Sequence, residues 1–201
     1  MTPEQSSHHH AVNALGALGL VLADQMASAV EAVAPLGPSA PSALVALHEF
    51  LDGGSVTQLS SVLGLTHSGA VRLVDRLAAE GLVERARADD GRAVSVVLTR
   101  RGRRMAVRVL EAREELLTSA LSALSKDQVD NLANVLDTML ATVALARAKE
   151  RSARTNNGPQ PWLCRLCDLA ACGRPEGRCP VNSAVQNGTV KNGTVKNEYN
   201  N

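Results

Sequence analysis

The sequence predicts a mainly α-helical chain with one small β-hairpin, and three observations carry that expectation. Apolar residues recur at three- and four-residue spacing over long stretches, the period of one helix face. Aromatic residues make up only 1% of the 201 positions, so the core must be filled by Leu, Val, Ala and Met, which suits interlocking helices better than a sheet built on aromatic pairs. Only around Val83–Arg87 and Val94–Leu98 does the period change to the alternation and β-branched runs of paired strands.

The elements follow in order. Val12, Leu15, Leu18, Leu22, Met26, Ala29 and Val33 mark a first amphipathic helix, ended by "APLGPSAP". A second carries Leu44, Leu47 and Leu51 until Gly53 and Gly54 break it. In "SVTQLSSVLGL", Ser55 and Gln58 stand at the spacing of a capping box, in which each side chain satisfies a backbone donor of the first turn. This short helix turns Leu59, Val62 and Leu63 inward and stops at Gly64. Thr66 caps the next, "HSGAVRLVDRLAAEG", with Ala70, Leu73, Val74 and Leu77 as its apolar face and Gly81 at its end. Two capped helices joined by "GL" make a helix-turn-helix.

"LVERARADDGRAVSVVLT" reads as a hairpin around Asp-Asp-Gly, and a hairpin directly behind a helix-turn-helix is a wing. Helix resumes from Thr99 with Val107, Leu110, Leu117, Leu121 and Leu124 as its inner stripe. A last long helix begins at Ser125, with Gln128 again in capping-box register, and is expected to bury Val129, Leu132, Leu136, Met139 and Val143. "TNNGPQPW" reads as a linker. "NGTVK", twice repeated from Asn187 to Lys196, reads as a disordered tail.

Charge is segregated along the chain. Residues 1–54 hold five acids and no Lys or Arg, whereas residues 55–104 hold nine arginines against five acids. A basic block made wholly of arginine is what a phosphate-facing surface needs. Leu15–Val33 lacks a basic leader and is interrupted by Asp24, Gln25 and Glu31, so neither a signal peptide nor a membrane span is expected, and a cytoplasmic protein is. In a reducing compartment, clustered cysteines are more often metal ligands or redox groups than structural disulfides. All four lie in one segment, Cys164-x2-Cys167-x4-Cys172-x6-Cys179-Pro180. Four thiolates suit tetrahedral zinc, and the first intervals are similar to a zinc knuckle; the Cys-Pro ending equally suits an iron-sulfur cluster. Reversible disulfides are a third reading. Arg165, Arg174 and Arg178 are expected to offset the charge of the thiolates, and Trp162 and Leu163 to anchor the segment on the helical lobe.

The order of elements over residues 12–147 resembles the MarR family of bacterial transcriptional regulators, most specifically in "LSSVLGLTHSGAVRLVDRLAAEGLVER" and "DDGRAVSVVLTRRG". The resemblance implies a winged helix-turn-helix flanked by long N- and C-terminal dimerisation helices, in a homodimeric repressor of a pseudo-palindromic operator. It divides the chain into a flexible N-terminus (1–11), the family-like domain (12–154) and three appendages: a linker (155–163), the cysteine segment (164–180) and a disordered tail (181–201). Within the domain, 41–104 would read DNA, and 12–34 and 105–154 would dimerise. The DNA-binding candidates are Thr66, His67, Ser68, Val71, Arg72 and Arg76 on the recognition helix, and Arg87, Asp90 and Arg92 in the wing. Arg72 has the geometry for a bidentate contact to guanine. Asp90-Gly91-Arg92 matches the family's Asp-x-Arg wing signature, whose arginine enters or flanks the minor groove. Gly69 departs from the hydroxyl residue many relatives hold there.

Members of the family also bind phenolic or lipophilic ligands between the lobes, so a small-molecule-released repressor with a purely structural cysteine site is the alternative. Met26, Phe50 and Met105 would line such a cleft. A protein-binding winged helix is a third reading, which the arginine block disfavours. No Ser-His-Asp set, phosphate loop or paired carboxylates suggests an enzyme.

Overall fold

The computed structural model describes residues 3–87, 94–153 and 162–192. The elements are α1 (Pro3–Val33), α2 (Ala40–Glu49), α3 (Val56–Leu63), α4 (His67–Ala79), β1 (Val83–Arg87), β2 (Val94–Leu98), α5 (Arg100–Leu121), α6 (Lys126–Ala153) and α7 (Pro180–Asn192). The mainly helical class with one hairpin, expected from periodicity and composition, is the observed one.

Local chemistry explains the boundaries. At the start of α3, Ser55 Oγ accepts from the Gln58 amide at 3.2 Å while Gln58 Oε1 accepts from the Ser55 amide at 2.8 Å. Gly64, at φ 65°, ends that helix in the left-handed conformation that favours glycine. Thr66 Oγ1 then accepts from the Gly69 amide at 3.1 Å and opens α4. Ser125 and Gln128 form the same reciprocal pair ahead of α6. The strands pair antiparallel from Val83↔Leu98 to Arg87↔Val94, and the Val96 amide donates to Gly54 O at 2.9 Å, tying the wing to the entrance of α3.

The core forms around α2, in which every residue from Ala40 to Leu47 is buried. Leu44 and Leu47 share one buried cluster with Leu59 and Val62 of α3, Leu73 and Leu77 of α4, Val96 of β2, and Ala106 and Val109 of α5. Leu51, expected on the second helix, lies beyond its end, because Phe50 leaves helical geometry at φ −154°.

Four expectations are corrected. The first helix starts at Pro3, so residues 3–11, including the exposed His8, His9 and His10, are helical; proline fits a first turn, where its missing N–H has no partner to lose. The tail from residue 181 is helical as α7 to Asn192, since Val181 and Val185, one turn apart, pack in the cluster that holds Ala144 of α6. The fully buried residues of α5 are Gly102, Ala106 and Val109; of the expected stripe Leu110 packs against the core and Leu117 is half-buried, while Val107 and Leu121, and Leu124 beyond the helix, are exposed. On α6, Leu136 and Val143 are likewise exposed and Ala144 is buried. Within one chain small residues set the closest contacts because they allow the nearest approach, and several of the large apolar residues remain at the surface.

Gly102 shows this most sharply: a Cβ there would stand 2.0 Å from Leu82 O. Gly102→Ala is expected to destabilise the fold by about 1–3 kcal/mol, the usual cost of overpacking, because the obstacle is backbone. Urea unfolding checks this, and an unchanged midpoint would show that α5 does not depend on the contact.

Candidate nucleic-acid interface and four-thiol segment

Helix α4 buries Ala70, Leu73, Val74 and Leu77, which turns His67, Ser68, Arg72 and Arg76 outward as exposed residues and leaves Val71 half-buried. Thr66 is exposed too, but its hydroxyl is engaged in the cap and lies 3.3 Å from Ser68 Oγ. Asp75, one turn from Arg72, pairs instead with Arg85 of β1 at 2.6 Å. Among the described residues Arg72 makes no ion pair, so its guanidinium remains available on the outer face of the helix. The Arg76 guanidinium lies back beside Gly37 in the α1–α2 connection, Nη1 being 3.4 Å from where a Cβ would stand. Arg101 donates to Glu80 O at 2.7 Å and so closes the C-terminal end of α4, a structural role that the arginine count alone conceals. Arg100, Arg103 and Arg104 are exposed at the start of α5. Arg87 ends β1, while Asp90 and Arg92 lie outside the described residues.

The cysteine segment joins two regions of the molecule. Trp162 is buried in the main core and its ring stacks on Phe50, with centroids 5.9 Å apart and planes 4° from parallel. Its amide donates at 2.8 Å to Val62 O, one of the carbonyls that the end of α3 leaves without a helical partner. Seven residues on, the Leu169 amide donates to Glu49 Oε2 at 2.8 Å. Arg174 completes the grip with its guanidinium carbon 5.8 Å from the centre of the Phe50 ring. The neighbour of Trp162, Leu163, belongs to a second cluster with Cys164, Cys179, Val181 and Ala144 of α6. The expected docking on the helical lobe is therefore half of the arrangement. Trp162 goes to the helix-turn-helix core, and Leu163 to α6. A hydrogen bond to a carboxylate contributes about 1.5–3 kcal/mol and an aromatic pair about 0.5–1.5 kcal/mol beyond its burial, so these contacts are substantial.

The four cysteines form no disulfide, and they interact most closely as two pairs, Cys164 with Cys167 and Cys172 with Cys179. Cys167 is pulled down to about 7, first by the hydrogen bond from Cys164 and then by the positive charges of Arg113, Arg174 and Arg165, against the opposing effect of burial. The same bond, with burial, pushes Cys164 far up. Burial raises Cys172 to about 11, and its Sγ lies 3.4 Å from Leu169 O. The pairs also feel each other's charge, Cys164 that of Cys179 and Cys172 that of Cys167. Among the described residues no three ligating groups already close on a common metal position.

Of the arginines expected near the thiols, Arg165 and Arg174 are there, whereas Arg178 faces outward and pairs with Glu176 at 3.5 Å. Arg113 of α5 was not legible in the sequence, nor were Glu49 and Phe50. One signal for Glu49 existed: an acid in the last turn of an apolar helix is unfavourable against the helix dipole and calls for a donor.

Residues 35–93 match the family model described as MarR family. Among solved structures, the chain is similar to a MarR family protein from Bacillus stearothermophilus (25% identity, TM-score 0.56, covering 69% of this chain and 95% of that one). YusO from Bacillus subtilis is similar at 18% identity and TM-score 0.59, over 69% of this chain and 97% of its own. The transcriptional regulator Tm0710 from Thermotoga maritima is similar at 23% and 0.52, over 67% and 95%. A search of curated proteins finds no match. Residues 35–93 thus match the MarR family, and over about two thirds of its length the chain shares the fold of solved proteins of that family.

Proposed function

We propose that this protein is a homodimeric, sequence-specific repressor whose four cysteines bind zinc or an iron-sulfur cluster and report metal or redox state to the DNA-binding helices. The observation that carries the DNA-binding part is the outer face of α4, where an exposed Arg72, in no ion pair among the described residues, stands one turn beyond the exposed His67 and Ser68 at the helix N-terminus. A helix N-terminus presents backbone donors to phosphate, and the arginine fork matches a guanine edge. Arg92, with Asp90 and Arg87, is the proposed wing contact to the minor groove and flanking phosphate.

Dimerisation is supported by apolar residues without cover in one chain. Val12, Leu15, Leu18, Leu20 and Val21 of α1 and Val135, Leu136, Leu140, Val143 and Leu145 of α6 are all at least 40% exposed. Residues Gln5–Val33 are long and apolar enough to cross a membrane by composition, but a second copy covering α1 and α6 together accounts for both faces in a cytoplasmic protein. Two such subunits would read a pseudo-palindromic operator with half-sites about one helical turn apart.

Metal binding is supported by the donor set: four thiols within one small cluster, with Arg113, Arg165 and Arg174 placed to offset thiolate charge. Cys164, Cys167, Cys172 and Cys179 would be the ligands, the two pairs closing together. The lipophilic-ligand alternative loses its aromatic wall, because Phe50 is already stacked on Trp162.

Arg72→Ala is expected to weaken binding to a selected operator by about 1–3 kcal/mol and relax preference at one base pair, whereas Arg92→Ala weakens binding at low and moderate salt and flattens its salt dependence. Fluorescence anisotropy over a salt series checks both; wild-type affinity in Arg72→Ala would remove α4 from the interface. Leu136→Glu combined with Leu140→Glu should give monomers in sedimentation, and a persisting dimer would move the interface elsewhere. Anaerobically purified protein should carry metal, seen as iron with visible absorption or as colourless zinc, and Cys164→Ser with Cys167→Ser should lose it. Metal-free wild type would refute the metal reading.

A further inference from the structure

We infer that Glu49 and Phe50, at the C-terminal end of α2, are the positioning residues through which the state of the cysteine segment reaches the DNA-reading helices. This deepens the sensor reading and rests on it. Leu169 lies between Cys167 and Cys172, so any closure of the loop on its thiols sets where the Leu169 amide stands, and that amide is held by Glu49 Oε2 at 2.8 Å. With the segment in place the Glu49 side chain is 14% exposed, and His48 Nε2 lies 3.8 Å from its other oxygen. Phe50 receives the segment on its ring, stacked on Trp162 and 5.8 Å from the Arg174 guanidinium. Leu169 itself joins the thiols to the end of α2: its carbonyl accepts from Cys172 Sγ at 3.4 Å while its amide donates to Glu49.

What receives the signal is stiff. Helix α2 is buried from Ala40 to Leu47 and packs against α3, β2 and α5, so its C-terminal end cannot shift without carrying α3 along. The segment also holds α3 directly through the Trp162 amide on Val62 O, two residues before the Gly64 turn that leads into α4. On the opposite side the second cluster holds α6 at Ala144, on the helix whose exposed face is the proposed dimer surface. Trp162 and Leu163, consecutive in the chain, enter different cores, and the line of contact from α6 to α4 passes between them. Linkage requires such coupling to act in both directions: if the thiol state alters DNA affinity, DNA must alter the thiols.

The experiment uses full-length wild type, Glu49→Ala, Glu49→Gln, which keeps an acceptor oxygen, and Phe50→Leu, which keeps apolar volume without a ring. A duplex selected from a random pool by the protein itself serves as operator. Two quantities are read: operator affinity before and after stripping with EDTA, and the rate of iodoacetamide alkylation of the stripped cysteines with and without the duplex. In wild type the affinity ratio should lie in the range of about 5- to 150-fold typical of coupled sites, and the duplex should change alkylation. Glu49→Ala and Phe50→Leu should retain metal and melt cooperatively yet lose both responses, and Glu49→Gln should restore most of them. Wild-type responses in Glu49→Ala and Phe50→Leu would overturn the inference. If wild type shows no EDTA effect but a duplex effect on alkylation that Glu49→Ala abolishes, the metal-sensor reading falls and the positioning role stands. If wild type shows neither response, both fall.

Discussion

The structure depends on the complete burial of α2. A helix surrounded on every side can present no polar face, and its sequence APSALVAL supplies only small and aliphatic residues through that stretch. Ala40, Ala43 and Ala46 let neighbouring helices approach closely, while Leu44 and Leu47 fill the space between α3, α4 and α5. With α2 fixed, α3 and α4 have one way to pack, and the apolar side of α4 must turn inward. His67, Ser68 and Arg72 face outward as a consequence. The outward face of the recognition helix is a result of core packing before it is a matter of DNA.

The charge pattern follows a similar logic. The acidic first quarter of the chain places Glu49 at the end of the buried helix, and its carboxylate is satisfied by an amide from the cysteine segment rather than by a cation. The arginines divide their roles. Arg85 holds Asp75, Arg101 closes α4, and Arg113, Arg165 and Arg174 bring positive charge to the thiols. Arg165 shows the cost of that crowding: burial and the nearby charge of Arg147 lower its own pKa. The arginines left exposed on α4 and at the start of α5 are the remainder that the proposed DNA surface uses.

Much of the helix-turn-helix was legible because its determinants are local. Ser55 with Gln58, Thr66, Gly64, and Ser125 with Gln128 act within three or four residues, and each does in the structure what its spacing implies. The apolar face of α4 was legible for the same reason. The inner faces of α5 and α6 were legible only in part, through residues such as Leu110, since Gly102, Ala106 and Ala144 carry little hydrophobic signal and are chosen by distant partners. The cysteines announced a shared site through spacing, but nothing near them in sequence announced Glu49, more than a hundred positions earlier. Asp90 and Arg92 rest on the sequence resemblance alone.

Aromatic scarcity gives one contact unusual weight. The chain has a single Phe, a single Trp and a single Tyr, and the first two are stacked on each other. In a core of Leu, Val and Ala, where side chains have freedom to repack, a rigid aromatic pair is the contact least able to adjust, because each ring brings a large flat area and only two torsions. That pair stands where the cysteine segment meets the end of α2 and the last turn of α3. A segment packed there by aliphatic residues could slide while keeping its burial. Stacked on Phe50 and pinned through the Trp162 amide, it cannot move without unstacking the rings and freeing a helix-end carbonyl. The junction is therefore closer to two discrete positions than to a continuum, which is the property that a thiol-controlled DNA-binding unit requires.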